Sequence, residues 1–323
     1  MTPIVKQLWE TGHFWNPSLP NALNVKQGDL ASLKSADAVV KEAIASFQQS
    51  DANVSTLAQA YHGRALQPDG ILGPATRSVL DFKRCPIPDY PPPPGARFHF
   101  DDPGLQHAVE TQQAFAMGRG SWPSCDPTRQ GVNSFRVGLD TTRCPTVVKN
   151  YLVKCLAAVV QAYAEIGCAV RYVLDGDPKD CEISKRFELL SGSVIGWNEF
   201  PDNDTCDQVI QGRLDTDYTP SDYRYWANLE CHETGHGVGL QHGSGSIMNP
   251  SILLVWPLTW KGSYSFANLK RWFGGEPVPV SPGPGPGPGP TPKTTVSGVL
   301  TVERDGQTLG KFQVVPDPNF VVV

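Results

Sequence analysis

Residues 231–242 are Cys231-His232-Glu233-Thr234-Gly235-His236-Gly237-Val238-Gly239-Leu240-Gln241-His242. On a helix, His232 and His236 lie four residues apart, so both rings leave the same face one turn apart. Two ring nitrogens at that separation suit one zinc ion, which histidine binds at about 2.0–2.1 Å. Gly239 follows where the helix must end and the chain must turn, so His242 can return as a third ligand. Three protein ligands and one open position are typical of a catalytic zinc site.

Glu233 is the carboxylate of this pattern and directly follows the first histidine. It can reach a water molecule in the open position of the metal. Zinc lowers the pKa of such a water, and the carboxylate can take its proton. The sequence therefore predicts Glu233 as the catalytic residue and His232, His236 and His242 as the ligands of one zinc ion.

The longer pattern His-Glu-x-x-His-x-x-Gly-x-x-His resembles the zinc signature of the metzincin endopeptidases. These enzymes carry a methionine in a tight turn beneath the metal. Here Ser246-Ile247-Met248-Asn249-Pro250 follows, with Met248 six residues after His242. The resemblance therefore implies that Met248 is the Met-turn residue. Within the metzincins, the sequence is most similar to the matrixins, the matrix-metalloproteinase-like enzymes.

A second motif, Lys83-Arg84-Cys85-Pro86-Ile87-Pro88-Asp89, resembles the matrixin cysteine switch, whose consensus is Pro-Arg-Cys-Gly-x-Pro-Asp. A thiolate is a strong zinc ligand. Cys85 in the fourth position would displace the catalytic water and silence the enzyme, so the chain is predicted to be a zymogen. An alternative is that Cys85 is an ordinary loop residue or forms a disulfide.

The switch motif matches the consensus at Arg84, Cys85, Pro88 and Asp89 and departs from it at Lys83 and Pro86. Arg84 and Asp89 are predicted to form an ion pair that holds the loop in shape. Proline in place of glycine restricts φ and removes a backbone donor. We therefore expect the loop not to copy the family conformation in full.

The chain of 323 residues is long enough for two domains. We predict six segments: an irregular N-terminal segment (1–35), a small helical domain ending in the switch loop (36–90), a proline linker (91–95), the metallopeptidase domain (96–276), a Pro/Gly linker (277–293) and a C-terminal β-hairpin (294–323).

The segment 36–90 is predicted to be all-α, with one helix before Phe47, a second near Val54–Tyr61 and a third that begins at Pro74. Asp69-Gly70 and Gly73-Pro74 mark turns before that third helix. The segment resembles the peptidoglycan-binding-like domain, which also forms part of matrixin propeptides. Any three-helix module with a glycine-rich turn is the alternative.

The segment 96–276 is predicted to be α+β, in the order strand, long helix, several strands and zinc-binding helix. The predicted elements are a strand at 135–139, a helix at 145–166, strands at 170–174, 181–187, 193–197 and 208–214, a helix from about Ser221 and a closing helix near 267–277. In the third strand, Cys181, Ile183, Lys185 and Phe187 alternate along one face. Matrixins have the same order, so the resemblance implies a zincin-like fold with a twisted mixed β-sheet, a backing helix and an active-site helix. Residues 96–131 carry no clear pattern and are interpreted as an insertion.

The sequence also bears on further metal sites and on disulfides. None of the seven histidines lies between residues 108 and 231, where vertebrate-type matrixins bind a second, structural zinc. Calcium prefers oxygen ligands, and the acidic loops that could supply them contain Asp175, Asp177, Asp202 and Asp204. Solvated loops are the alternative. The eight cysteines permit disulfides but do not fix their pairing.

Composition limits the classes of partner. A net charge of −5 gives no basic footprint for nucleic acid. No run of eighteen apolar residues is present, so no membrane span is expected. The first ten residues lack the apolar stretch of a secretion signal, whereas the family resemblance implies an extracellular or secreted protein. Association with a virion or a cell wall is the alternative.

The sequence thus predicts a zinc metalloendopeptidase that hydrolyses protein or peptide substrates and is held latent by Cys85. Two alternatives remain. The chain could be a cell-wall or virion-associated peptidase that 36–84 anchors to peptidoglycan or another polysaccharide. It could also be a metzincin-like binding protein without catalysis.

Overall fold

The computed structural model describes residues 1–19, 25–50, 58, 62–116, 134–190, 192–201, 209–243, 247–251, 254–261, 298–304 and 307–314. Two compact units are present, Met1–Val278 and Pro279–Val323, and each is described by itself. In the part of the chain described, no helix is both long and apolar enough to cross a membrane.

The first unit begins with helices and short 3₁₀ turns. Helix α1 spans Pro3–Glu10, α2 spans Ala38–Ser50, α3 spans Pro74–Leu80 and α4 spans Pro103–Ala116, with 3₁₀ turns at His13–Trp15 and Gln27–Asp29. The predicted start of the third helix at Pro74 is confirmed. The helix expected near Val54–Tyr61 lies almost entirely outside the described residues.

The prediction that residues 1–35 are irregular was wrong for their first part. Pro3 stands in the first turn of α1, where its fixed φ favours the helix. One face of that helix then buries Val5, Leu8 and Trp9. These side chains join a hydrophobic cluster to which α2 and α3 contribute Ile44 and Leu80, among others. Residues 1–15 therefore belong to the same core as the segment 36–84.

The interpretation of residues 96–131 as an unpatterned insertion also requires correction. Helix α4 occupies Pro103–Ala116 and is buried on two sides. Its Val109 joins the N-terminal cluster, whereas Ala108 packs in a separate cluster with Cys85, Trp197 and Phe200. The predicted domain boundary at 91–95 therefore falls inside one compact unit, because α4 contacts residues from both sides of it.

A five-stranded mixed sheet follows, as predicted. Its strands are β1 (Ser134–Asp140), β2 (Ala169–Leu174), β3 (Ile183–Glu188), β4 (Gly196–Asn198) and β5 (Ile210–Asp215). Their spatial order is β2-β1-β3-β5-β4, and only β4 runs antiparallel to its neighbour. The mixture of helices with this mostly parallel sheet is compatible with the predicted α+β class.

Two helices pack on the sheet and place the histidines. The predicted helix over 145–166 is divided into α5 (Thr146–Lys149) and α6 (Leu152–Ala164). Helix α7 spans Tyr223–Gly237, and the Asp222 side chain caps it by accepting from the backbone N–H of Arg224. The Tyr163 hydroxyl of α6 donates to the Cys231 carbonyl of α7 at 2.7 Å. The core between these helices and the sheet is continuous.

The second unit contains the predicted hairpin. Strands β6 (Gly298–Arg304) and β7 (Gln307–Val314) pair in antiparallel fashion. Residues 305–306, between the two strands, lie outside the described residues, as do the predicted Pro/Gly linker and the predicted closing helix near 267–277.

Candidate metal centre

Helix α7 and the turn after it bring the three predicted ligands together. The His236 Nε2 atom lies 3.1 Å from His232 Nε2 and 3.2 Å from His242 Nε2. Gly239 has a φ of 91°, in the left-handed region that side chains rarely adopt, and this lets the chain reverse toward His242. The Cys85 Sγ atom completes the group at 3.5 Å from His236 Nε2.

The three separations from His236 Nε2 fit those expected around a zinc ion. A tetrahedral zinc ion with bonds of about 2.0–2.1 Å to nitrogen and 2.3 Å to sulfur holds nitrogens about 3.3 Å apart. The corresponding nitrogen–sulfur separation is about 3.6 Å. The four ligand atoms observed here all lie within 4.8 Å of one another. Three imidazoles and one thiolate also form a donor set that zinc prefers.

The second ring nitrogen of each helical histidine meets a backbone carbonyl. His232 Nδ1 lies 2.9 Å from the Ile247 oxygen, and His236 Nδ1 lies 2.8 Å from the Leu240 oxygen. Each carbonyl can accept from Nδ1–H, which leaves the Nε2 lone pair facing the common centre. Burial lowers the pKa of both rings, which favours the neutral form that binds metal.

Glu233 lies beside this centre and is fully buried. Its Oε2 atom is 3.9 Å from Cys85 Sγ. Within the described residues, Oε1 has no hydrogen-bond partner. Burial raises the pKa of the carboxyl to about 8, which is near the range that a general base needs.

The switch segment lies extended between two backbone edges. The Arg84 N–H donates to the Ser193 carbonyl at 2.9 Å, and the Arg84 carbonyl accepts from the Ile195 N–H at 3.3 Å. On the other side, the Cys85 N–H donates to the Pro250 carbonyl at 3.0 Å. Pro86 thus does not prevent Cys85 from reaching the histidines. Burial and the nearby Glu233 raise the pKa of the Cys85 thiol.

Met248 packs against α7, and its Met-turn role stays a prediction. A Cβ atom added to Gly235 would lie 2.3 Å from Met248 Sδ, so the methionine contacts the helix backbone between His232 and His236. The Met248 carbonyl accepts from the Gly243 N–H at 2.9 Å. This contact links the turn to the loop that carries His242.

The predicted ion pair between Arg84 and Asp89 is present. Asp89 also lies 3.2 Å from His242 Nδ1 and 3.3 Å from His13 Nε2. Burial alone would raise the pKa of Asp89, but Arg84 and the two histidines outweigh it and hold that pKa well below its usual range. Asp89 is therefore a buried anion that joins the switch loop to the third predicted ligand.

His13 is the residue at this site that the sequence did not indicate. It is fully buried, and its Nδ1 lies 3.3 Å from Ser46 Oγ. The backbone supports the same contact, because the Asp89 N–H donates to the Thr11 carbonyl at 2.9 Å. A single histidine in an aperiodic segment carries no signal of a partner 76 positions away (13 to 89). The Thr11 carbonyl and the His13 ring thus support Asp89.

Gly12 lies between Thr11 and His13, at a position with no room for a side chain. Gly12→Ala is therefore expected to destabilise the chain. Its φ is 80°, and an added Cβ would lie 2.5 Å from the Tyr90 carbonyl oxygen. Left-handed strain and a backbone clash together predict a loss of about 2–5 kcal/mol in the free energy of unfolding. Urea titration measures it. Gly95→Ala is the matched control, because Gly95 has a φ of 79° and nothing within 4 Å. Equal losses in the two variants would contradict the predicted clash.

The calcium prediction gains no support from the two candidate aspartates that are described. Asp175 accepts from the N–H and hydroxyl of Thr141 at 2.6 and 2.7 Å, and Asp177 accepts from the Lys179 N–H at 3.0 Å. These carboxylates therefore stabilise local turns. Asp202 and Asp204 lie outside the described residues, so a calcium site stays a prediction.

The cysteines that the structure describes are all buried and unpaired: Cys85, Cys144, Cys155, Cys168, Cys181 and Cys231. Cys125 and Cys206 lie outside the described residues. The alternative in which Cys85 forms a disulfide is therefore not observed.

Comparison with known proteins adds no family assignment. A scan against protein-family models finds no match, and a search of curated proteins finds no significant relative.

Proposed function

We propose that this chain is a zinc-dependent metalloendopeptidase of matrixin type, held latent by Cys85. One observation carries the proposal. Three histidine Nε2 atoms and one cysteine sulfur converge at zinc-like spacing, with a buried carboxylate beside them. A structural zinc site has no need of a buried carboxylate at its edge, whereas hydrolysis requires a base there.

The residues have distinct roles in this proposal. His232, His236 and His242 would hold the zinc, and Cys85 would be the fourth ligand in the latent chain. When bound, zinc polarises a carbonyl group and acidifies water. Glu233 takes a proton from the attacking water and returns it to the leaving amine. Its raised pKa of about 8 suits both transfers, because the group can gain and lose a proton near neutral pH.

The groove between the two backbone edges that hold Arg84 and Cys85 favours a peptide substrate rather than a small molecule. Arg84 and Cys85 occupy it as an extended segment, and main-chain groups on both sides bond to them. Ser193 and Ile195 provide one edge, and Pro250 provides the other. An extended peptide could use the same backbone donors and acceptors once the switch segment leaves.

Zinc binding and cleavage together test the proposal. The purified chain is expected to hold one zinc ion, measured by elemental analysis, and His236→Ala should lose most of it because one of the four converging ligands is removed. The control is His107→Ala, since the His107 ring is about half exposed and lies on α4, away from the cluster. Retention of zinc by His236→Ala would contradict the assigned ligand set.

Peptide cleavage separates an enzyme from a binding protein. A Cys85→Ala chain incubated with a mixture of unrelated peptides should cut them at internal bonds, and a zinc chelator should abolish the cuts. Restoring zinc should restore them. Stoichiometric zinc without any cleavage would instead favour the catalytically inactive alternative.

A further inference from the structure

The face of α7 opposite its histidines carries a buried polar cluster that the metal site does not use. Glu230 and Thr234 lie one turn apart on the side of the helix that packs on the sheet. They meet Tyr172 of β2 and Lys185 of β3. These four residues are named the sheet-side cluster, and each is at most 2% exposed.

Every member of the sheet-side cluster bonds to another. Lys185 Nζ donates to Glu230 Oε1 at 2.8 Å and to Thr234 Oγ1 at 2.7 Å. The Tyr172 hydroxyl donates to the same Glu230 oxygen at 2.7 Å. Thr234 Oγ1 lies 3.0 Å from that oxygen and 3.1 Å from the tyrosine hydroxyl. Two strands are thereby joined to one turn of α7.

Stability alone does not explain a charged cluster at this position. A helix that packs on a sheet usually buries apolar side chains there, and a well-packed apolar set is often as stable as a buried ion pair. Within the described residues, Glu230 Oε2 has no partner, so the carboxylate is not fully satisfied. Because one carboxylate oxygen lacks a partner, this buried ion pair is better explained by the position in which it holds α7 than by a gain in stability.

The sheet-side cluster fixes the rotation and register of α7 on the sheet. Apolar contacts allow a helix to slide or rotate by small amounts, whereas directional hydrogen bonds to Lys185 and Tyr172 do not. Thr234 directly follows Glu233 and precedes His236 by two residues, so any rotation of this turn moves both. Gly212 makes room for the lysine stem, since an added Cβ there would lie 3.0 Å from Lys185 Cγ.

We propose that Lys185 is a positioning residue, which holds Glu233 and the histidines in place by pinning α7 to the sheet through Glu230 and Thr234. This inference rests on the proposed peptidase function. Lys185 touches neither the predicted ligands nor the groove. Its hydrogen bonds reach the site through the helix, and its charge also lowers the pKa of the Glu233 carboxyl.

The test uses the full chain with Cys85→Ala as the parent. Lys185→Met leaves Glu230 as an unpaired buried charge, so it should lower the Tm as well as kcat. Lys185→Met combined with Glu230→Met removes both charges and should recover most of the Tm. If Lys185 positions the helix, that double variant should still lose about 10–100-fold in kcat, with a smaller change in KM. Its zinc affinity, measured by chelator competition, should weaken by a similar factor.

Two further variants keep the test decisive. Tyr172→Phe removes the hydroxyl that meets Glu230 and Thr234 without a large change in shape, so it should fold and show a smaller loss of kcat. The control is Arg136→Met combined with Glu182→Met, which removes a partly exposed ion pair at the start of β1 and should leave kcat unchanged.

Each outcome bears on a different claim. Parent-like kcat and zinc affinity in the double variant would overturn the positioning role and leave the proposed function standing. A parent that cleaves nothing would refute the proposed function. In that case, the zinc affinity of the double variant still tests the positioning role.

Discussion

A Glu233→Ala variant of the Cys85→Ala chain is expected to keep its zinc and to lose about 10²–10⁴-fold in kcat for peptide cleavage. The carboxylate contributes no ligand atom to the four that converge, so zinc content should not fall. Its loss removes the buried group that would move protons between water and the leaving amine in the proposed reaction. The variant is compared with its parent by elemental analysis and by initial rates at saturating peptide.

The control for this variant is Glu110→Ala, which removes a half-exposed carboxylate from α4. It should leave both the zinc content and kcat as they are. Undiminished cleavage by the Glu233→Ala chain would remove the proposed base from the mechanism, even if zinc binding stays intact.

The second large effect is expected from Cys85→Ala in the full-length chain, which should raise the initial rate of cleavage by about 100-fold or more. The thiolate is the only cysteine ligand in the converging group, and alanine cannot occupy its place. Activation should still be incomplete, because the backbone bonds from Arg84 to Ser193 and Ile195 do not depend on the thiol. Initial rates of the two full-length proteins on one peptide measure the effect.

Cys144→Ala is the matched control for activation. Cys144 is also buried and unpaired, but its thiol meets the Pro145 carbonyl and not the histidines. Its replacement should leave the chain latent. Equal rates for the Cys85→Ala chain and the unaltered chain would show that the thiol does not inhibit.

The parts of the site that sequence analysis predicted are those that depend on local spacing. The interval between His232 and His236, and the turn at Gly239, follow from helix geometry and backbone sterics, which act over a few residues. The same holds for the Arg84–Asp89 pair, whose members are five positions apart (84 to 89). The alternation of side chains along β1, β2 and β3 likewise predicted those three strands.

The parts that sequence analysis did not predict depend on contacts between distant segments. His13 and helix α4 gain their roles from packing against the switch loop and the sheet, and neither has a local pattern that names those partners. Lys185 is different, because a signal was present. It alternates with Ile183 and Phe187, so the strand pattern already placed a charged side chain on the buried face, where it requires a partner.

The unpaired state of Cys85 has one more consequence. It is the only cysteine in residues 1–90, and it is unpaired, so no disulfide ties this part of the chain to the rest. A cut within Pro91–Gly95 would leave the N-terminal fragment bound only by hydrogen bonds, ion pairs and packing. Inhibition would then change from an intramolecular to a bimolecular equilibrium and would weaken on dilution. The released fragment would in turn be a reversible inhibitor that can act on other copies of the enzyme.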